Sequence, residues 1–351
     1  MPKISVIIPA YNHEKYISAT LESILNQSMS DFEIVAVDDG SPDNTGAILD
    51  EYAKKDARVR VYHQHNQGVA AALNAGIHYA NGEWIAFCGS DDTLPPRALA
   101  FLFAKSNDVD VVIGEYSCIS DSGSMVNVHY SRNQRTFMSY MFRSGAMWGK
   151  LLRREFLIQN DITFRDLTME EDVVYICEIA VRKPRFSVVK RSTYFYWNHD
   201  HGNQPSLTHR NDLLSFKERY RGKQMMLDIL REANFAKEWK EHFLSNAVIL
   251  SDYVLCIPDS AQRAQAFELL KAFLLQYDWS GQEDTFAGYF NMTLEEIRAG
   301  TAEQYFARNV SFDLKERVYQ KFLTGQIGFK YILNYANAWA KFKILSKSKY
   351  K

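Results

Sequence analysis

Three short acidic clusters hold the side chains of this 351-residue sequence best suited to chemistry: Asp38-Asp39, Asp91-Asp92 and Glu170-Glu171-Asp172. An ionised carboxylate can accept N–H groups, hold a divalent cation or take a proton from a hydroxyl. Asp-Gly and Ser-Asp pairs also make turns and cap helices, and a single such cluster would be read that way. Here the first two each follow directly on a short apolar run that reads as a buried strand, and the repeat of that arrangement favours a site. The third opens a helical stretch, where the alternative is that the acids simply complement the helix dipole.

The elements that must carry these clusters can be read from periodicity. Apolar runs at residues 4–9, 32–37, 59–62, 84–88 and 109–113 predict five strands. Between them, residues 14–27, 45–54 and 69–80 carry helical spacing, and Pro95-Pro96 opens a further helix. Alternation of this kind predicts an α/β fold, a mainly parallel sheet flanked by helices. Ligands in such sheets gather at the carboxyl ends of the strands, where both Asp pairs fall. Residues 115–210 are less regular. From about residue 212 the pattern is helical to the end. The expected division is therefore 1–210 for the α/β domain and 211–351 for a helical C-terminal domain.

Composition narrows the classes. The chain is 46% hydrophobic and 24% charged, ordinary for a globular protein. Its 41 basic and 42 acidic residues give a net charge of −1, which argues against general nucleic-acid binding. No apolar stretch reaches the ~18 residues that would predict a membrane-spanning helix. The opening apolar run is too short for a signal-peptide core, and the four cysteines form no CxxC pair, so a cytoplasmic protein with reduced thiols is expected. Charge is nevertheless uneven: residues 315–351 hold nine Lys or Arg and one acid, a net +8, leaving −9 elsewhere. That tail mixes Phe329, Ile332, Leu333, Trp339 and Phe342 with Lys330, Lys341 and Lys343. It suits either a helix in the interface of an anionic membrane or a domain-packing helix with a solvated basic end.

The order of these pieces resembles glycosyltransferase family 2, with the type A nucleotide-diphospho-sugar transferase fold, a Rossmann-like sheet. The resemblance begins at Ser5-Val6-Ile7-Ile8-Pro9-Ala10-Tyr11-Asn12 and continues through Ile24-Leu25-Asn26-Gln27-Ser28 and Val37-Asp38-Asp39-Gly40-Ser41. Asn66-Gln67-Gly68, Asn74-Ala75-Gly76, Gly82-Glu83-Trp84 and Ser90-Asp91-Asp92 follow, and Glu171-Asp172 closes the series. It covers roughly residues 3–200. Each motif alone is weak; in order at family-like spacing they are specific.

The resemblance implies an inverting glycosyltransferase that moves a sugar from a nucleotide-diphosphate donor to a saccharide hydroxyl, in bacterial cell-surface glycan synthesis. It assigns Pro9, Tyr11, Asn12, Asp39, Gly68, Asn74 and Asp91 to the donor, with Asp39 at the nucleobase. Asp91 and Asp92 would hold Mg²⁺ or Mn²⁺, which offsets charge on the departing diphosphate. Asp172 would be the base, with Glu171 sharing or orienting. Trp148, Lys150 and His201 fall on the acceptor side, the acceptor being a saccharide or a lipid-linked saccharide. A UDP-sugar is the leading donor, with GDP and dTDP left open. Two departures stand out: Gly89 occupies the first position of the family's Asp-x-Asp-Asp, and Leu73 replaces the Arg of Ala-Arg-Asn. They support one rival, a non-catalytic sugar-binding or scaffold protein on a decayed transferase fold. The other rival, a nucleotidyltransferase, would carry a Gly-rich basic loop where Ala10-Tyr11-Asn12-His13 stands.

Overall fold

In the computed structural model, the described residues are 1–120, 123–128, 137, 140, 146–199, 210–278, 280, 290 and 292–309. The chain divides into two compact units, Met1–Asp200 and His201–Lys351; the sequence had placed the division at 210.

The first unit is built on one eight-stranded sheet. Its strands are β1 (Ile4–Ala10), β2 (Phe32–Asp38), β3 (Val59–His63), β4 (Trp84–Phe87), β5 (Val111–Ser120), β6 (Met125–Val128), β7 (Lys150–Arg153) and β8 (Phe186–Asn198). The order is β3-β2-β1-β4-β7-β5-β6, and β8 pairs with β5. β1 to β4 pair parallel with one another, as β8 does with β5, while β7 is antiparallel to both β4 and β5. Residues of β1 and β2 are buried almost throughout, which is why they read as continuous apolar runs: helices cover both faces of a central parallel strand.

The helices of this unit are α1 (Ile17–Leu25), α2 (Thr45–Lys55), α3 (Val69–Tyr79), α4 (Ala98–Phe103), α5 (Arg154–Gln159) and α6 (Glu171–Val181). α3 lies close on β1, because a Cβ at Gly76 would collide with Ile7. β7 is the departure from the sequence reading. The Trp148-Gly149-Lys150-Leu151 stretch leads into a short strand that fills the gap between β4 and β5. Four residues carry too little alternation to declare a strand in sequence.

The second unit, taken by itself, is helical over its described residues: α7 (Leu213–Glu232), α8 (Ala236–Cys256), α9 (Ser260–Leu274), α10 (Leu294–Ala299) and α11 (Ala302–Asn309). Asp212 and Asp259 cap α7 and α9 by accepting the amides of Ser215 and Gln262, and Thr293 with Glu296 forms a reciprocal capping box on α10. Phe243 of α8 stacks on Phe273 of α9 at 4.9 Å in its core. Among the described residues no helix is long and apolar enough to cross a membrane. The basic tail, residues 315–351, lies outside the described residues, as does His201.

Candidate active site

Parallel pairing places the carboxyl ends of β1, β2 and β4 on one edge. Ala10 lies opposite Asp38, and Ile7 opposite Phe87. The chain then turns outward in three loops that hold one another. The Asp39 amide donates to the Ala10 carbonyl (2.9 Å). Thr20 Oγ1 on α1 lies within hydrogen-bond reach of the carbonyls of Ser90 (3.0 Å) and Asp92 (2.8 Å). His13 Nδ1 sits 2.6 Å from Ser90 Oγ. Pro9, Tyr11, Asn12, Asp39 and Asp91 all belong to these strand ends and loops. Tyr11 is exposed, whereas Asn12 adopts a left-handed backbone (φ 57°) with its amide on Ser41 Oγ.

Asp39 is almost fully buried. Its Oδ1 accepts Gln64 Nε2–H (2.7 Å) and the Gln67 amide (2.9 Å), and its Oδ2 accepts the Gly68 amide (2.8 Å). A carboxylate offers about four acceptor directions, so these bonds leave one on Oδ2. Asp39 thus also pins the loop that carries Gln67 and Gly68 to the end of β2. Its neighbour Asp38 takes a different part. Oδ1 accepts the Ser41 amide (3.1 Å), and Oδ2 lies 2.9 Å from His63 Nδ1, while His63 Nε2 is 3.1 Å from Asp50 Oδ1. Asp38, and then Asp50, raise the His63 pKa above its usual value.

The second Asp pair separates by environment. Asp92 is buried, its Oδ2 accepting the Tyr194 hydroxyl (2.6 Å) and its Oδ1 the Trp197 amide (2.8 Å). The Tyr194 oxygen in turn accepts the Gly89 amide (2.9 Å). Asp92 therefore ties β8 to the loop after β4, a use that the sequence expectation of two metal-binding carboxylates does not include. Asp91 is half-buried, and its carbonyl lies 3.0 Å from His199 Nε2, the ring of which stacks on Tyr16 at 4.0 Å. A Cβ at Gly89 would sit 2.9 Å from Asp92 Oδ2 and 3.0 Å from Asp91 Oδ1, so the two carboxylates crowd the place where the family motif has a further acid. Mg²⁺ and Mn²⁺ need one or two protein carboxylates when phosphate oxygens and waters complete the shell. Asp91 meets that need. Among the described residues no cluster of three acidic, His or Cys ligands stands ready for a metal.

Asn74, expected at the donor, is committed elsewhere. Its Nδ2 donates to the Phe164 carbonyl and its Oδ1 accepts the Phe164 amide, both at 2.9 Å. The Phe164 ring stacks on Tyr175 of α6 at 3.8 Å, and both rings meet Phe87 edge-on, at 5.4 and 6.0 Å. α6 is thereby seated on the end of β4, and Glu171 and Asp172 occupy its first turn. Glu170, which precedes it, holds a left-handed backbone (φ 67°) that non-glycine residues seldom adopt. Such local strain is maintained by surrounding structure and is found often at functional sites.

Trp148 and Lys150 are interior side chains. Trp148 stacks on Tyr194 (4.6 Å) and Tyr196 (5.6 Å) and meets Tyr116 edge-on (4.6 Å), so its faces serve the core rather than a sugar. Lys150 is buried, its ammonium donating to the carbonyls of Ala146 (2.5 Å) and Trp148 (3.4 Å). Burial pushes its pKa down to about 7, opposed by the charge of Asp172. The sequence reading gave no part to Gln64, Thr20 or Tyr194. Only the aromatic run at 194–197 signalled anything, and it carried no hint of the bond to Asp92.

Residues 5–160 match the family model for glycosyl transferase family 2. An uncharacterized glycosyltransferase, EpsJ of Bacillus subtilis, is 32% identical over 210 residues, 56% of this chain and 61% of the relative. The chain spans about three fifths of the length of the first curated relatives that it matches, 61%, 61% and 60%. Among solved structures, TarS 1-349 of S. aureus in complex with UDP-GlcNAc covers 88% of this chain and 91% of its own, with a TM-score of 0.54 at 22% identity. The mannosyltransferase PcManGT of Pyrobaculum calidifontis, in complex with GDP-Man and Mn²⁺, covers 95% and 86%, with a TM-score of 0.51 at 18% identity. At these identities the likeness bears on the fold, which is the type A glycosyltransferase architecture with helices following it.

Proposed function

We propose that this chain transfers a sugar from a nucleoside-diphosphate donor to a hydroxyl of a saccharide or lipid-linked saccharide, inverting the anomeric centre, in the assembly of a bacterial surface glycan. The observation that carries this reading is the edge at the ends of β1, β2 and β4, where Tyr11, Asp39 and Asp91 share one set of interlocked loops and α6 brings Asp172 to the same strand ends. In this reading Asp39 uses its remaining acceptor direction for an N–H of the base. Asp91 is the protein ligand for Mg²⁺ or Mn²⁺; when bound, the cation supplies charge neutralisation at the departing diphosphate. Asp172 takes the proton of the acceptor hydroxyl as its oxygen attacks the anomeric carbon and the bond to the diphosphate oxygen breaks. Glu171 orients the acceptor. The complexes of the two fold relatives, one with UDP-GlcNAc and one with GDP-Man and Mn²⁺, support a nucleotide-sugar donor and leave UDP and GDP as the first bases to test. A cytoplasmic placement, with the basic tail on an anionic membrane, completes the proposal.

The test is a donor screen: UDP-, GDP- and dTDP-sugars incubated with the protein and Mg²⁺ or Mn²⁺, with release of nucleoside diphosphate measured. Turnover of one donor class, stimulated by the cation, is expected. No binding and no turnover of any of them would favour the scaffold reading.

A further inference from the structure

The chain leaving β3 sets two consecutive side chains against the two aspartates at the end of β2. His63 faces Asp38, and Gln64 faces Asp39, with Nε2 2.7 Å from Oδ1. A carboxylate only accepts, so Gln64 presents its NH₂ rather than its carbonyl. The backbone holds Gln64 in place, its amide donating to the Asp38 carbonyl at 3.0 Å. Gly40 turns back against the same loop in a left-handed conformation (φ 70°). A Cβ there would sit 2.9 Å from the Asn66 nitrogen and 3.2 Å from the Gln64 carbonyl oxygen. Asp39, 3% exposed, is thus enclosed between two closely packed segments and has little freedom to turn.

The hydrogen bonds to Asp39 are shared unequally between its oxygens. Oδ1 accepts both Gln64 Nε2–H and the Gln67 amide, which uses both of its acceptor directions. Oδ2 accepts the Gly68 amide alone and keeps one direction open. Guanine offers its ring N–H and an amino N–H side by side, and pairs best with a carboxylate open on both oxygens. Uracil and thymine offer a single imide N–H between two carbonyls. One open direction on one oxygen suits the imide. It leaves one guanine N–H unpaired beside a buried carboxylate, which is costly. The second hydrogen of the Gln64 NH₂ has no acceptor among the described residues and is left for a carbonyl beside the imide.

We propose that Gln64 is a specificity-determining residue: by filling Oδ1 of Asp39 it restricts the site to a base with a single imide N–H, uracil or thymine, and discriminates against guanine. This rests on the reading of Asp39 as the contact for the nucleobase, and it narrows the donors named above.

The test is calorimetric binding of UDP, dTDP and GDP, each with Mn²⁺, to the full chain and to Gln64→Ala and Asp39→Asn. In wild type the tighter of the two imide nucleotides is expected to bind about tenfold or more tightly than GDP, the effect of one unpaired N–H. Gln64→Ala frees the second direction on Oδ1, so the preference for the imide nucleotide over GDP should fall about tenfold. Wild-type binding of GDP as tight as that of UDP and dTDP would overturn the proposal without recourse to any variant. So would an unchanged preference in Gln64→Ala with both affinities lowered equally, which is the mark of a purely structural side chain. Asp39→Asn keeps the size of the side chain and sets a donor among the donors, so it should weaken the imide nucleotides most. If Asp39→Asn binds every nucleotide as wild type does, the reading of Asp39 as the base contact fails and the proposal falls with it. If Asp39→Asn loses the imide nucleotides while Gln64→Ala keeps the wild-type preference, the role of Gln64 alone is refuted.

Discussion

Adjacent aspartates of the same type do unlike work here, and burial decides which. Asp92 accepts the Tyr194 hydroxyl and the Trp197 amide in the interior, whereas Asp91 remains half-buried. Replacing Asp92 with Ala leaves two buried donors without their acceptor, at a cost of about 1–3 kcal/mol for each unsatisfied group. The expected result is a lower denaturation midpoint, read by urea titration. Asp91→Ala should leave that midpoint near wild type and instead weaken binding of UDP in the presence of Mn²⁺, measured by calorimetry. The loss of one charged contact would make that effect about tenfold or more. Equal behaviour of the two variants would remove the division of labour. The positions of both aspartates were legible in sequence, since each follows an apolar run. Their different roles were not, because the deciding partners lie about a hundred residues away on β8. Asn74 teaches the same lesson: its sequence neighbours suggest a donor contact, and only the fold brings Phe164 to its amide.

Among elements, the strand ends are coupled by a chain of polar contacts running from Asp50 on α2 through His63 on β3 and Asp38 on β2 to Ser41 and the Asn12 amide after β1. The pKa of His63 is raised in the fold, chiefly by Asp38 and then by Asp50. The folded chain therefore holds the His63 proton more tightly than the unfolded chain. The stabilisation is complete below the unfolded value of about 6.5 and is lost as pH rises through the higher folded value. Unfolding midpoints at pH 5.5 and 8.5 should thus fall further on going alkaline in wild type than in His63→Gln. Identical pH dependence in the two would show that His63 carries no such coupling. Strands β1 to β4 and the helices between them announced themselves by period and burial. β7 did not, since an antiparallel filler of four residues takes its place from its neighbours β4 and β5 rather than from its own pattern.

At the scale of the whole molecule, an α/β unit is followed by helices and then by a segment whose charge is +8 over residues 315–351. The proposed membrane contact predicts that the full chain sediments with anionic vesicles and that a chain ending at residue 310 does not. Binding should weaken as salt rises, because charges are screened over ~10 Å at 0.1 M. Equal sedimentation of the two chains would assign the tail to packing. The central claim, sugar transfer with Asp172 as the base, is tested most directly by Asp172→Asn, which keeps size and hydrogen-bonding capacity but cannot take the proton. A general base contributes about 10²–10⁴-fold in rate. The account predicts that Asp172→Asn binds the donor with near wild-type affinity and loses transfer by a factor in that range; transfer at the wild-type rate would contradict it.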